Sequence, residues 1–326
     1  MKRQAILLLL LFGGCDPPMM PGTAQQPREE PYPFVFAASK AAPGDSDAAM
    51  SEFHYLTYDH ALGCWSGELG GTAVLEEDGL FRPADAIWTY WPEGKIYSFF
   101  AVGHNEKQPV PSSSVEFGSS VMLYGSGSSA LLQLRNPSHD VDWLAAQAFR
   151  QQKRSGVSLE FRHVTAHIGK LSFDLSEYRN WVREKELDIS ALESLGCTLS
   201  DADEQSFIFS ANNSALFKKE SWDYGSSPGK TLDGRRSLAI MQGSCSAEVS
   251  YYAFPGIHRL TMHLRLLDGS GRQVVDDREL SGSLTLPMGS DCELRIKLKP
   301  NDRSLDVEVL AGLPGWDSRK EGTVSE

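Results

Sequence analysis

The sequence lacks the motifs that mark several common enzyme classes. It has no His-Glu-x-x-His pattern. The run 125–129 is rich in glycine and serine but lacks the Gly-Lys-Ser/Thr ending of a phosphate-binding loop. No Cys-x-x-Cys spacing is present, so no redox motif or zinc knuckle is predicted. We therefore expect a protein that is not an enzyme, with no catalytic residue, no metal and no cofactor.

Long basic runs are also absent, as is any interleaving of lysine or arginine with aromatic residues. The 31 basic and 43 acidic residues give a net charge of −12. Loss of residues 1–14 would remove two basic residues and no acidic one, which leaves −14. An acidic chain of this kind is not expected to bind nucleic acid.

The one marked apolar run, Ala5–Phe12, follows two basic residues and precedes Gly13-Gly14-Cys15. It has about half of the roughly 20 residues that a membrane-spanning helix needs. This order of charge, apolar run and small residues is typical of a secretory signal. The cysteine after the small residues resembles a bacterial lipobox, although Phe12 replaces the usual leucine. The resemblance implies cleavage after residue 14 and a lipid on Cys15, including a palmitate-type chain; an ordinary signal with a chance cysteine is the alternative.

Composition and turn signals divide the rest of the chain. Residues 16–31 contain five prolines and few bulky apolar groups, so residues 15–31 are predicted to be a flexible tether behind the 1–14 signal. The polar stretch 151–156 ends in glycine and marks a domain boundary. We predict an N-terminal β-sandwich over 32–155 and a C-terminal one over 156–326.

Alternation of apolar and polar residues predicts half-buried antiparallel strands and an all-β fold. The clearest strand is 259–266, and similar alternation recurs at 293–299 and 305–310. Residues 157–175 have two alternating halves, and Gly169 is predicted to mark a turn or a bulge between them. Only 138–152 has a helical pattern, with a packed loop as the alternative.

Four cysteines remain beyond Cys15, and their positions in the sequence are compatible with either a disulfide or free thiols. A bridge within the carboxy-terminal half, or buried free thiols, would both be compatible with their positions; they are Cys64, Cys197, Cys245 and Cys292.

His163 and His167 lie four residues apart, which spans about 13 Å in a strand and is too far for one metal ion. We therefore interpret both as core or surface residues. Asp140 and Asp142 are interpreted as loop-capping residues.

Three segments together resemble the fimbrillin-like lipoproteins of Bacteroidales, which are type V pilus subunits. The aromatic block from Trp88 to Ala101 is similar to the family's YWP…FFA block. The stretch Val157–Ile168 resembles its V-x-L-x-F-x-H…A-x-I strand, and Pro314-Gly315-Trp316 is similar to its closing tryptophan. With the lipobox, the resemblance covers nearly the whole chain.

The resemblance implies two transthyretin-like antiparallel β-sandwiches in tandem, on a lipoprotein of the outer membrane and the cell-surface fimbrium. In such a pilin a protease releases the lipidated first strand, which opens a hydrophobic groove. A carboxy-terminal strand of another subunit then fills this groove. The expected partners are thus other pilus subunits, a processing protease and, through Cys15, the outer membrane. The removable strand would be 33–38, and the donor would comprise Leu305, Val307, Val309 and the approach to Trp316.

The processing site has two candidates. A cut after Lys40 would free the first strand, whereas a cut after Arg28 would free the lipid and leave the groove filled. The alternative is that Lys40 is only a solvated loop residue and not a processing site. The alternative function is a surface lipoprotein that binds host glycans or proteins and never polymerises.

Overall fold

Strands form most of the chain that the structure, a computed structural model, describes: residues 35–40, 50–84, 96–104, 121–124, 131–134, 141–151, 156–201, 205–210, 218–221, 230–300 and 302–312. The first ten strands are β1 (Phe36–Lys40), β2 (Glu52–Asp59), β3 (Cys64–Leu75), β4 (Phe81–Pro83), β5 (Tyr97–His104), β6 (Val121–Tyr124), β7 (Leu131–Leu134), β8 (Trp143–Gln151), β9 (Val157–His163) and β10 (Ala166–Asp174). The others are β11 (Ala191–Asp201), β12 (Gln205–Ser210), β13 (Lys218–Ser221), β14 (Lys230–Asp233), β15 (Arg236–Ala239), β16 (Ser244–Ala253), β17 (Gly256–Leu267), β18 (Gln273–Leu286), β19 (Asp291–Lys297) and β20 (Asp306–Ala311).

The all-β prediction is confirmed. Within the described ranges the chain has one α-helix, α1 (Ser176–Glu184), and a 3-10 turn at Ile240–Gln242. The sequence pattern did not predict α1, which packs Tyr178 and Val182 into the core. None of the described helical segments is long and apolar enough to cross a bilayer.

The first sheet closes on itself around one hydrophobic core. Its strands follow the order β1-β4-β3-β2-β5-β8-β9, and β9 returns to β1. The alternation in β9 buries Val157, Leu159 and Phe161 and exposes the residues between them. Apolar side chains of one face therefore fill the interior of the closed sheet.

A second core lies between two further sheets, with strand orders β16-β10-β19-β20 and β14-β11-β17-β18. The predicted strand at 259–266 is confirmed inside β17, where Leu260, Met262, Leu264 and Leu266 are all buried. A fourth sheet, β13-β12-β7-β6, pairs residues 131–134 with residues 207–210. The chain passes from the first core to the second between His163 and Ala166.

The helix or packed loop expected at 138–152 is wrong where the structure describes this segment, because residues 143–151 form β8. Trp143, Leu144, Ala145 and Ala146 are consecutive and buried. A strand buried on both faces has a continuous apolar run, and such a run does not show the period of two that identifies a half-buried strand.

The expectation of purely antiparallel sheets is also wrong. β1 pairs with β9, and β10 with β19, in parallel. Parallel partners are joined by long crossovers, so the local pattern of the sequence does not identify them. Gly169 does lie at a bulge, as predicted, because Ile168 and Lys170 pair with the consecutive residues Cys292 and Glu293 of β19 and leave Gly169 without an opposite residue. The transthyretin-like assignment and the domain limits remain predictions.

All four described cysteines are free thiols. Cys197 lies fully buried in the second core, where burial raises its pKa from an ordinary 9.0 to about 12. Cys245 is half-buried, and burial raises the pKa of this thiol as well. A thiol reacts as its thiolate, so the fold itself suppresses the chemistry of these cysteines.

We predict that iodoacetamide alkylates Cys197 far more slowly than Cys245 in the native chain. The higher pKa alone lowers the thiolate fraction of Cys197 about 10³-fold relative to an ordinary thiol at neutral pH. Peptide mass spectrometry after timed labelling measures both rates, and the same labelling in guanidinium serves as the control. Equal rates in the folded chain would contradict this burial.

Candidate functional site

The first described strand, β1, fills a slot between two strands that come later in the chain. It pairs in parallel with β9 over five residue pairs, from Phe36 opposite Val157 to Lys40 opposite Phe161. On its other side Phe36 pairs with Phe81 of β4 in the antiparallel sense. Without β1, the backbone edges of β9 and β4 would therefore lose their partner in the closed sheet.

Phe36 anchors β1 in the first core, where it is fully buried. Its ring centroid lies 5.3 Å from that of Phe53, 4.8 Å from Tyr55 and 5.8 Å from Phe99. Burial raises the pKa of Tyr55 to about 12, so its hydroxyl stays neutral beside these rings. The next side chain, Ala37, is exposed, so β1 alternates between core and solvent.

The beginning of β1 fits closely against the beginning of β9. The backbone N–H of Val157 donates to the carbonyl oxygen of Val35 at 2.8 Å. A Cβ on Gly156 would lie 3.1 Å from Cγ2 of Val35, which is a tight contact. The Val35 side chain therefore packs closely against the backbone of Gly156.

Lys40, one of the two predicted processing residues, is the last residue of β1. Its backbone is still paired, opposite Phe161, so the bond to residue 41 lies directly at the end of the ladder. A protease needs an opened backbone, so a cut here would require local fraying of β1. Arg28 and Cys15 lie outside the described residues, so their predicted roles stay predictions.

The predicted donor strand, β20, lies at an edge of its sheet. It pairs with β19 over six residue pairs, from Asp306 opposite Lys297 to Ala311 opposite Cys292. Val307 and Val309 are half-buried against the second core. A strand at an edge can leave its sheet by breaking one ladder, whereas a central strand would have to break two.

Leu305 fixes the approach to β20 and is itself buried. Its backbone N–H donates to the carbonyl oxygen of Ser281 at 2.9 Å. A Cβ on Gly282 would come closer than 3.0 Å to the Leu305 carbonyl oxygen, so only glycine permits this approach. Trp316, the last residue of the predicted donor, lies outside the described residues.

The loop-capping interpretation of Asp142 is wrong. The Asp142 carboxylate is almost fully buried; it lies 2.9 Å from Nδ1 of His163 and accepts a hydrogen bond of 3.1 Å from the Thr165 hydroxyl. His163 and Thr165 lie just before the chain enters the second core. Asp142 lies 21 residues before His163, so a pattern of neighbouring residues does not identify the cluster. Asp140 lies outside the described residues.

His163 and His167 face different carboxylates, because His167 contacts Asp291 instead. Within the ranges that the structure covers, no group of three or more histidine, cysteine, aspartate or glutamate side chains could hold a metal ion.

Solved structures similar to this chain include fimbrial proteins. A fimbrial protein from Bacteroides vulgatus is 13% identical, with 87% of this chain and 99% of that chain covered and a TM-score of 0.46. A fimbrilin from Porphyromonas gingivalis is 9% identical, with 87% and 98% covered and a TM-score of 0.40. A tip fimbrial protein from the same species, truncated at its carboxy terminus, is 12% identical, with 87% and 99% covered and a TM-score of 0.35. No protein-family model matches the chain, and no curated protein matches its sequence.

We predict that Phe36→Ala lowers the free energy of unfolding by about 3–5 kcal/mol, because it empties the centre of an aromatic cluster. Ala37→Ser, one residue on and exposed, is the matched control and should change stability by less than about 0.5 kcal/mol. Urea unfolding followed by circular dichroism measures both. Equal stability of the two variants would mean that β1 is not held by its side chains.

Proposed function

We propose that this chain is a structural subunit of a cell-surface pilus and that assembly replaces β1 with a strand of a neighbouring subunit. The observation that supports the proposal is the position of β1. It is the first strand of the described chain, yet it closes a sheet built from later strands. A single cut between β1 and β2 would therefore free this strand without breaking any other.

The covalent link to β2 keeps β1 in its slot. A tethered strand is present at an effective concentration of the order of millimolar, so a competing strand from another molecule rarely displaces it. A cut after Lys40 removes that advantage, because β1 becomes a separate ligand that leaves by diffusion. Proteolysis would thus convert a closed monomer into a subunit with an open slot.

The proposed donor is the carboxy-terminal strand with its approach, Leu305 to Val309. Its apolar residues alternate with polar ones, as a strand that fills a half-buried slot requires. Each apolar side chain that the slot buries contributes on the order of 1.5–3 kcal/mol. The donor must first leave β19, and the loss of that ladder opposes donation before the slot is open.

The lipid on Cys15 would hold the unprocessed subunit at the outer membrane. The tether 15–31 then lets the folded part reach the cell surface, where other subunits and a processing protease meet it. In this scheme the protein contributes to adhesion as part of a polymer and performs no catalysis of its own in assembly.

The decisive experiment opens the slot at a chosen bond. Residues 41–49 are replaced by the recognition sequence of a site-specific protease in the chain without its signal. The cut chain is freed of β1 in mild urea and is then offered a fluorescent peptide of residues 305–311. With the peptide, we expect the cut chain to carry the fluorescent label on an unboiled gel. Without the peptide, we expect the cut chain to form a ladder of polymers.

Two controls make the result specific. A peptide with Val307→Asp and Val309→Asp should not bind, because it would bury two carboxylates in the slot. The uncut chain should not bind either peptide, because β1 fills the slot. Equal binding to cut and uncut chain would overturn the proposal. A cut chain that stays monomeric without peptide would also overturn it and would favour the non-polymerising alternative.

An exposed aromatic patch would favour the alternative of a non-polymerising lipoprotein that binds host glycans or proteins. A glycan-binding site usually presents exposed aromatic rings. Among the described residues, the exposed large apolar side chains are Leu62, Leu75, Met241, Ile257, Val274 and Met288. None of them is aromatic.

A further inference from the structure

Three neighbouring strands bring a serine, a histidine and an aspartate into one row on the outer face of the second core. His167 of β10 lies opposite Tyr252 of β16 on one side and opposite Asp291 of β19 on the other. Ser250 precedes Tyr252 by two residues in β16. The adjacent residues Ile168, Tyr251 and Cys292 point into the core, so this row lies on the opposite face.

The atoms of the row are ordered as in a nucleophile, a base and an orienting acid. Nδ1 of His167 lies 2.9 Å from Oδ1 of Asp291, and Nε2 lies 3.3 Å from Oγ of Ser250. The serine contact is slightly longer than an ordinary hydrogen bond. The two ring nitrogens thus have separate partners. A proton on Nδ1 that faces Asp291 leaves Nε2 unprotonated in the neutral ring, so Nε2 can accept the proton of Ser250.

The local backbone explains how Ser250 reaches the histidine. Between the pairs Ile168–Tyr251 and Lys170–Glu248, β10 has one residue, Gly169, whereas β16 has two, Val249 and Ser250. This is a β-bulge on β16, and a bulge redirects the side chains near it. The ring of His167 is held in place by stacking on Tyr252, with centroids 4.7 Å apart and planes at 26°.

Acyl transfer needs an accessible nucleophile and a sheltered base, and the exposure of the three side chains fits this requirement. Ser250 is exposed to solvent, so a substrate can reach its hydroxyl. The side chains of His167 and Asp291 are 10% and 19% exposed. The base and the acid are therefore sheltered from water while the nucleophile is open. Strand exchange at β1 does not use any of these residues.

We propose that Ser250 is a nucleophile for acyl transfer from small carboxylic esters, with His167 as its base and Asp291 as a positioning residue. The Ser250 oxygen forms a bond to the ester carbonyl carbon, and its proton moves to Nε2 of His167. The ester carbon–oxygen bond breaks, and the alcohol leaves with that proton. Water then attacks the acyl group on Ser250, again through His167, and releases the acid.

A fluorophosphonate probe tests the proposal directly, because it forms a phosphorus–oxygen bond to an activated serine and releases fluoride. The full chain is labelled in its folded state, and peptide mass spectrometry measures the rate at each serine. Ser246 lies on the same strand and is also exposed, so it is an internal control. We expect Ser250 to react about 10²-fold faster than Ser246, the effect of a positioned base.

Variants separate catalysis from structure. His167→Gln should lower the Ser250 rate to that of Ser246, and Asp291→Asn should lower it about tenfold or more. Added imidazole should restore labelling in His167→Ala, an effect that a purely structural histidine would not show. Ser250→Ala changes an exposed side chain, so the variant should fold and lose hydrolysis of p-nitrophenyl acetate.

Two results would overturn the assignment. One is labelling of Ser250 no faster than Ser246 in the folded chain. The other is an unchanged labelling rate of Ser250 in His167→Gln, in a variant whose circular dichroism spectrum matches that of the native protein. Unchanged ester hydrolysis by Ser250→Ala would also overturn the proposed substrate class.

Discussion

The first sheet depends on a strand from the beginning of the chain that pairs with strands from much later. Phe36 fills the middle of an aromatic cluster, while the backbone of β1 satisfies the edges of β9 and β4. A closed sheet has no free edge, so the same strand supplies both core volume and edge protection. Loss of β1 would expose an apolar cavity and unpaired backbone together, and a replacement strand would have to supply both.

Residues 164 and 165, which connect the two cores, are held by hydrogen bonds to both sides of the connection. Val164 donates its backbone N–H to the carbonyl oxygen of Trp143, and Gly289 donates to Thr165 at 3.2 Å. Gly289 has φ +61, and a Cβ there would lie 2.9 Å from the carbonyl oxygen of His163. Together with the buried Asp142 cluster, these contacts join the end of the first sheet to the loop before β19.

The two proposals use different properties of a sheet. Strand exchange uses the backbone, because any chain with the right alternation can satisfy the ladder beside β9. The proposed reaction at Ser250 uses side chains, because neighbouring strands hold His167 and Asp291 in register at fixed distances. The first site has to open, whereas the second has to stay rigid. Their location in different sheets makes both requirements compatible.

The sequence by itself determined the all-β class, the faces of strands such as β9 and β17, and the bulge at Gly169, because these depend on the period of two along one strand. It did not identify β8, whose residues are buried on both faces, or the short helix α1. Only the tertiary structure decided the parallel pairing of β1 with β9, the edge position of β20 and the carboxylate partners of His163 and His167. Each joins residues far apart in the chain, and local periodicity carries no information about which distant strands become neighbours.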